Sequence, residues 1–220
     1  PIVAGNLFQQ LYSLVDTLVI GRVEGVTALA AVSAAGWLDW FVLGLAMGMA
    51  QGFSILIAQL FGAGDHAGLR CAAGQSILLS IVISVVLTAV SEALLWPTLK
   101  LLDSPDNTIH LTCDYLRIIF GGAVFVMGYN LLAGFLRSLG DSRTPLYAMV
   151  AASLCNIALD ILFVATFHWG VYGVAIATVI SQCVSFLVCL AALAHMPLMR
   201  LSRADLRPDR TVIKRLMGLG

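Results

Sequence analysis

This sequence reads as an all-α integral membrane protein, a bundle of six transmembrane helices, on three grounds. Hydrophobic residues make up 60% of the 220 and charged residues only 11%, against roughly 45–50% and about 25% in a soluble domain. Mean hydropathy is +0.96, too high for a surface that faces water, so lipid must be the main solvent. The apolar residues fall into six runs, each long enough for the roughly 20 residues that a span needs.

The runs cover residues 2–21, 27–61, 67–96, 107–139, 145–167 and 170–195. Several exceed a single crossing, which predicts tilt or protrusion. The breaks carry turn chemistry. Gly62-Ala63-Gly64-Asp65 ends the second run, and both glycines read as a helix C-cap with Asp65 capping the next helix. Pro97 is expected to end the third run. Ser104-Pro105 and Thr144-Pro145 each place a capping hydroxyl before a proline at a first helical position. Gly44, Gly48 and Gly52, four apart, predict close helix approach.

Arg70, Arg137, Arg143, Arg200, Arg203, Arg207, Arg210, Lys214 and Arg215 fall on one side of the bundle; Arg22, Lys100 and Arg117 fall on the other. The positive-inside rule places the first set, the N-terminus and the tail after residue 195 in the cytoplasm. The basic tail could instead bind anionic lipid or RNA, but Asp205 and Asp209 interrupt it. Net charge is zero, so no global field attracts nucleic acid. Cys71, Cys113, Cys155, Cys183 and Cys189 form no CxxC pair and read as small apolar helix residues, with no disulfide and no metal site expected. No signal peptide is legible. The chain starts at Pro1 and stops inside what reads as another helix, which predicts a fragment.

Ionisable groups at membrane depth are expensive and mark cavities or partners. Glu92 lies within a turn of Trp96 and Pro97 and can reach the interface, and Asp39 is a candidate pocket residue between Trp37 and Trp40. Asp16 and Asp160 are stronger candidates. Gln9, Tyr12 and Asp16 share a helical face, as do Asn156 and Asp160, and Thr178 adds a hydroxyl in the next run. Carboxylate, amide and hydroxyl oxygens are hard ligands that suit a proton or an alkali cation. Two carboxylates close together in a dry site cannot both stay charged, so a proton or a cation must neutralise them. Such a site can be loaded and discharged. The alternative is a set of buried interhelical hydrogen bonds with no transport role.

Several segments together resemble the multidrug and toxic compound extrusion (MATE) family. These are Gln9-Gln10-Leu11-Tyr12-Ser13-Leu14-Val15-Asp16-Thr17, with Ile20-Gly21-Arg22 and Ala28-Leu29-Ala30-Ala31-Val32. They continue with Phe61-Gly62-Ala63-Gly64-Asp65, Gly134-Phe135-Leu136-Arg137-Ser138-Leu139-Gly140-Asp141-Ser142-Arg143-Thr144-Pro145, Asn156-Ile157-Ala158-Leu159-Asp160 and Gly170-Val171-Tyr172-Gly173-Val174-Ala175-Ile176-Ala177-Thr178. The resemblance implies one lobe of a twelve-helix pseudo-symmetric transporter. Residues 1–195 would be the N-terminal lobe and 196–220 a cytoplasmic linker to a missing C-terminal lobe. It also implies a cation site of Asp16, Asn156, Asp160 and Thr178, with Gln9, Tyr12 and Asp39 lining a substrate cavity.

The expected activity is not enzymatic and needs no cofactor. It is export of drugs or organic cations across the cytoplasmic membrane in exchange for Na+ or H+. The implied partners are the lipid bilayer, the second lobe and a small, cationic organic substrate. A lipid-linked oligosaccharide flippase of the same superfamily is the rival transporter; acidic mid-span residues favour cations over its anionic cargo. Gly62-Ala63-Gly64-Asp65 also matches the Gly-x-Gly-Asp form of intramembrane aspartyl proteases, but Asp65 sits at a polar loop edge.

Overall fold

The structure is a computed structural model that describes residues 10, 14, 17, 18, 25–101, 106–199, 201–202 and 205–219. The described residues are helical with short turns: α1 (Gly25–Gly62), α2 (His66–Leu101), α3 (Asp106–Gly121), α4 (Ala123–Ser138), α5 (Arg143–Asp160), α6 (Gly170–Ala194) and α7 (Arg210–Met217). A π-helical segment, Ile161–Thr166, extends α5, and a 3-10 turn, Pro197–Met199, follows α6. Among the described residues, four helices are long and apolar enough to cross a membrane: Ala35–Gly62, His66–Leu101, Arg143–Thr166 and Gly170–Ala194. Ile109–Gly121 and Ala123–Ser138, bent by 43° at their junction, make a fifth if they count as one span. The first predicted run lies almost wholly outside the described residues, though residues 10, 14, 17 and 18 are helical.

α2 shows what lipid does to a helix. Its outward face carries Ile81, Val82, Val85, Val86, Val90 and Leu94, all exposed. Its inward face carries Gln75, Ser76, Ser80 and Ser84, all buried. The usual amphipathic pattern is inverted because apolar surface costs nothing against acyl chains, whereas small hydroxyl residues let neighbouring backbones approach. Ser76 and Ser84 donate to the carbonyls of Ala72 and Ser80, each at 2.7 Å.

Two glycine-aspartate pairs fold the bundle at one end. Gly64 (φ +71°) and Gly140 (φ +92°) take the left-handed conformation that glycine adopts without strain. In each case the following aspartate N–H returns to a carbonyl five residues back, Asp65 to Leu60 and Asp141 to Leu136, which satisfies the exposed helix end. Asp65 then caps α2 by accepting from Gly68 N–H at 2.8 Å. Only Gly64 of the two glycines carries that turn; Gly62 is still helical.

Three expectations need correction. α2 continues through Pro97 to Leu101. Proline removes one hydrogen bond, and the last turn is held by Leu95 and Leu99, both in a buried cluster with Leu116 and Phe120 of α3. Thr144 does not cap α5: Asp141 Oδ1 accepts from the N–H groups of Arg143 and Thr144, each at 3.0 Å, and Asp141 Oδ2 accepts the Thr144 hydroxyl at 2.6 Å. A carboxylate outcompetes a hydroxyl for helix N–H donors because the bond is charge-assisted. Among the described residues Gly44 and Gly48 make no close helix approach either, since a Cβ at either would meet nothing within 4 Å. They lie on the exposed face of α1 with Trp37, Trp40 and Phe41. Ser104-Pro105 lies outside the described residues.

The bend at Gly122 was not expected. Thr88 donates to the Phe120 carbonyl at 2.8 Å, satisfying a backbone acceptor at the break. A Cβ at Gly122 would come 2.5 Å from Val179 Cγ2 of α6.

Candidate cation and substrate site

A cavity of about 340 Å³ opens among α1, α4, α5 and α6. Each wall is a helical stripe: Met149, Ala152, Ser153 and Asn156 on α5, and Thr178, Ser181, Gln182 and Ser185 on α6. Residues three and four apart stack on one face, so both stripes follow from a straight helix. Gln51 of α1 and Asn130 and Arg137 of α4 complete the polar lining. Asn130 Nδ2 donates to the Val126 carbonyl at 2.8 Å, and Ser181 donates to Ala177 at 2.7 Å.

At one end of this cavity, polar atoms are enclosed without a protein partner. Asn156 is 1% exposed, and among the described residues neither its Oδ1 nor its Nδ2 has a hydrogen-bond partner; the same holds for Thr178 Oγ1. An amide buried unpaired costs about 1–3 kcal/mol, so such groups in a native fold call for an explanation. Asp160, 0% exposed, follows one turn beyond Asn156 on the same face. It is also the last α-helical residue before the π-helical segment. A π-helical turn loosens the i→i−4 ladder and is frequent at functional sites. Beyond it, Trp169 N–H returns to the Phe163 carbonyl at 2.9 Å, and His168 and Gly170 take positive φ. A Cβ at Gly173 would come 3.0 Å from Phe163 Cβ, so glycine there lets α6 close on α5.

The structure therefore brings Asn156 and Thr178 to one cavity, with Asp160 buried one turn beyond Asn156 on α5. Asp16, Gln9 and Tyr12 lie outside the described residues. Asp39 does not line this cavity; it is half-buried with Oδ1 enclosed and unpartnered among the described residues. Gln51, Asn130, Arg137, Ser181, Gln182 and Ser185 were missed. The four-residue spacing of Thr178, Gln182 and Ser185-Ser181 on α6 was the available signal. Asp65 is exposed, with its carboxylate engaged in a helix cap, which removes the protease reading.

At the opposite end, Arg117 lies 3.5 Å from Glu92 and 3.6 Å from Asp114, and Tyr172 donates to Asp114 at 2.7 Å. Glu92 is thus paired near Trp96, whose ring lies 5.3 Å from that of His110, tilted by 44°.

The chain is 34% identical over its whole length to the probable multidrug resistance protein YoeA of Bacillus subtilis, covering 49% of that protein. It is 33% identical over 85% of its length to the probable multidrug resistance protein YpnP of the same organism, covering 42%. Among solved structures, an outward-facing multidrug resistance MATE transporter of the MOP superfamily superposes with a TM-score of 0.90 at 29% identity, over 97% of this chain and 48% of that one. A MOP superfamily transporter from Pyrococcus furiosus, described as having a binding pocket of reverse polarity, superposes at 0.92 and 29% identity, over 100% and 49%. The chain thus spans about half the length of the relatives it matches. Because the MatE family model matches residues 1–162 of the 220, the chain belongs to the MatE family of multi-pass membrane transporters.

Proposed function

We propose that the chain is the N-terminal lobe of an exporter that moves small organic molecules out of the cell in exchange for Na+ or H+. The supporting observation is the trio Asn156, Asp160 and Thr178: hard oxygen donors buried beside a polar cavity, two of them unpartnered among the described residues. A carboxylate at membrane depth calls for a proton, a cation or a donor to offset its charge. In this reading Asp16 faces Asp160 from the first helix, and an ion loaded between them neutralises the lobe interior. A cationic substrate then leaves the cavity, and the lobes rock to return the ion. Residues 1–195 form the lobe and 196–220 lead to a second one. The end carrying Arg70, Arg137 and Arg143 faces the cytoplasm across the inner membrane.

The test is ion-driven export by the full-length protein in proteoliposomes. Asp16→Asn and Asp160→Asn should each abolish export driven by an imposed Na+ or H+ gradient, with insertion unchanged. Export at the wild-type rate in both variants would refute the site.

One observation favours a second reading. Arg137 is the sole charged side chain lining the cavity among the described residues, and a guanidinium suits a phosphate or carboxylate. A flippase for an anionic lipid-linked oligosaccharide predicts that Arg137→Gln abolishes transport of the anionic cargo. The antiporter reading predicts that export of organic cations survives that change.

A further inference from the structure

The segment after α6 forms an anchored surface of its own. The N–H and hydroxyl of Ser202 both donate to Asp205 Oδ2 at 2.7 Å. Asp209 caps α7, its Oδ1 accepting from Thr211 N–H at 2.8 Å and Val212 N–H at 3.3 Å. Both acids are thus hydrogen-bonded within the segment, and among the described residues neither forms an ion pair with its arginines. Gln75 of α2, 1% exposed, donates to the carbonyls of Asp205 at 3.1 Å and Arg207 at 2.7 Å. Leu216 is fully buried in one cluster with Phe53 and Ile57 of α1 and Leu69 of α2, and Val212 packs against that cluster. Arg215 donates to Gln59 Oε1 at 3.1 Å. The apolar side of α7 is thus seated where the two apolar spans Ala35–Gly62 and His66–Leu101 meet their connecting turn.

The outward side is cationic. Arg207, Arg210, Lys214 and Arg215 are all exposed, and among the described residues none is in an ion pair. Arg210, Thr211, Lys214 and Arg215 surround one open depression, with Arg210 and Lys214 one turn apart. An amphipathic helix held at the end of two spans lies at headgroup level, where an anionic leaflet attracts each nearby Lys or Arg.

We propose that this face of α7 binds the phosphates of anionic phospholipid, such as phosphatidylglycerol, fixing to the membrane surface the segment that leads out of α6. Guanidinium groups take phosphate oxygens in pairs, and Lys214 adds a point charge. The binding depends only on the chain being a membrane protein, not on the coupling ion or the cargo.

The test is hydrogen exchange across residues 205–217 of the full-length protein in nanodiscs of phosphatidylcholine, with and without phosphatidylglycerol. Phosphatidylglycerol should slow exchange in α7 by about fivefold per engaged cation, and high salt should reverse the effect. Arg210→Gln with Lys214→Gln should lose most of this gain, and Arg210→Lys should keep it, while α5 and α6 exchange as before. If the double variant does not fold, the lipid and salt dependence of the wild type still decides. Exchange in α7 that ignores phosphatidylglycerol overturns the proposal, as does a gain that survives in the double variant. Protection that appears only on adding single-stranded RNA to phosphatidylcholine discs overturns it in favour of nucleic acid.

Discussion

Gly134 of α4 lies against the hydroxyl of Ser54 on α1 so closely that a Cβ there would collide with Ser54 Oγ and come 2.9 Å from Ser54 Cβ. Neither partner can retreat easily: Ser54 donates to the Ala50 carbonyl at 2.9 Å, and Ser138 donates to the Ser54 carbonyl at 3.0 Å. Gly134→Ala should therefore destabilise by about 1–3 kcal/mol through overpacking, offset in part by the better helix propensity of alanine. Thermal unfolding in detergent reads this directly. Adding Ser54→Gly removes the obstructing atoms and should recover most of the loss, a coupling that a helix-propensity effect alone does not give.

Asp141 makes the turn into α5 sensitive to acid. Partial burial pushes its carboxyl pKa up. The hydroxyl and N–H of Thr144, the N–H of Arg143 and the Arg143 guanidinium together outweigh that and hold it below the ordinary 3.8. A depressed folded value means that the cap contributes fully above pH 3.8 and is lost as pH falls below it, through the lower folded value. Asp141→Asn should melt below wild type at neutral pH, and the gap should close as pH drops past that point. Asp141→Ala, which removes the cap altogether, should cost about 1 kcal/mol at neutral pH.

Thr178 separates a ligand from a structural hydroxyl. Its Oγ1 is enclosed and unpartnered among the described residues, so Thr178→Val should leave stability unchanged or raise it by up to about 1 kcal/mol. If the oxygen belongs to the ion shell, the same change should raise the Na+ or H+ concentration needed for half-maximal export by about tenfold. A variant as stable as wild type with unaltered ion dependence would assign Thr178 to the cavity wall alone.

The spans were legible because lipid selects residues by hydropathy: the runs 67–96 and 170–195 begin within one residue of α2 and α6, and the second also ends within one. Gly64-Asp65 was legible because a left-handed residue followed by a capping carboxylate leaves a local sequence mark. Which face of each helix turns inward was not. Apolar side chains cover lipid-facing and packed surfaces alike, and the inward marks are small, such as Ser76, Ser80 and Ser84. For the same reason Asp39 sits away from the described cavity, and Gly44 and Gly48 sit on an exposed face. The bend at Gly122 depends on Val179 and Thr88, which no local pattern links to it. Asn156 and Thr178 were legible as polar exceptions in apolar runs, whereas Gln51 and Gln182 stood beside them with the same signal and were passed over.

Among the described residues, Gln75 ties the tail to the membrane-spanning helices by backbone recognition, through its bonds to the carbonyls of Asp205 and Arg207. Gln75→Leu keeps the volume but removes both donors. Two hydrogen bonds at about 1 kcal/mol each raise the population of the undocked tail by about thirtyfold. Trypsin cleavage after Arg210, slow while α7 is seated, should accelerate by that order when cleavage is rare relative to reclosing. The fragments should show α5 and α6 still intact, since neither contacts Gln75 through a hydrogen bond. Cleavage at the wild-type rate would mean that buried Leu216 and half-buried Val212, packed on the cluster of α1 and α2, hold the tail by themselves.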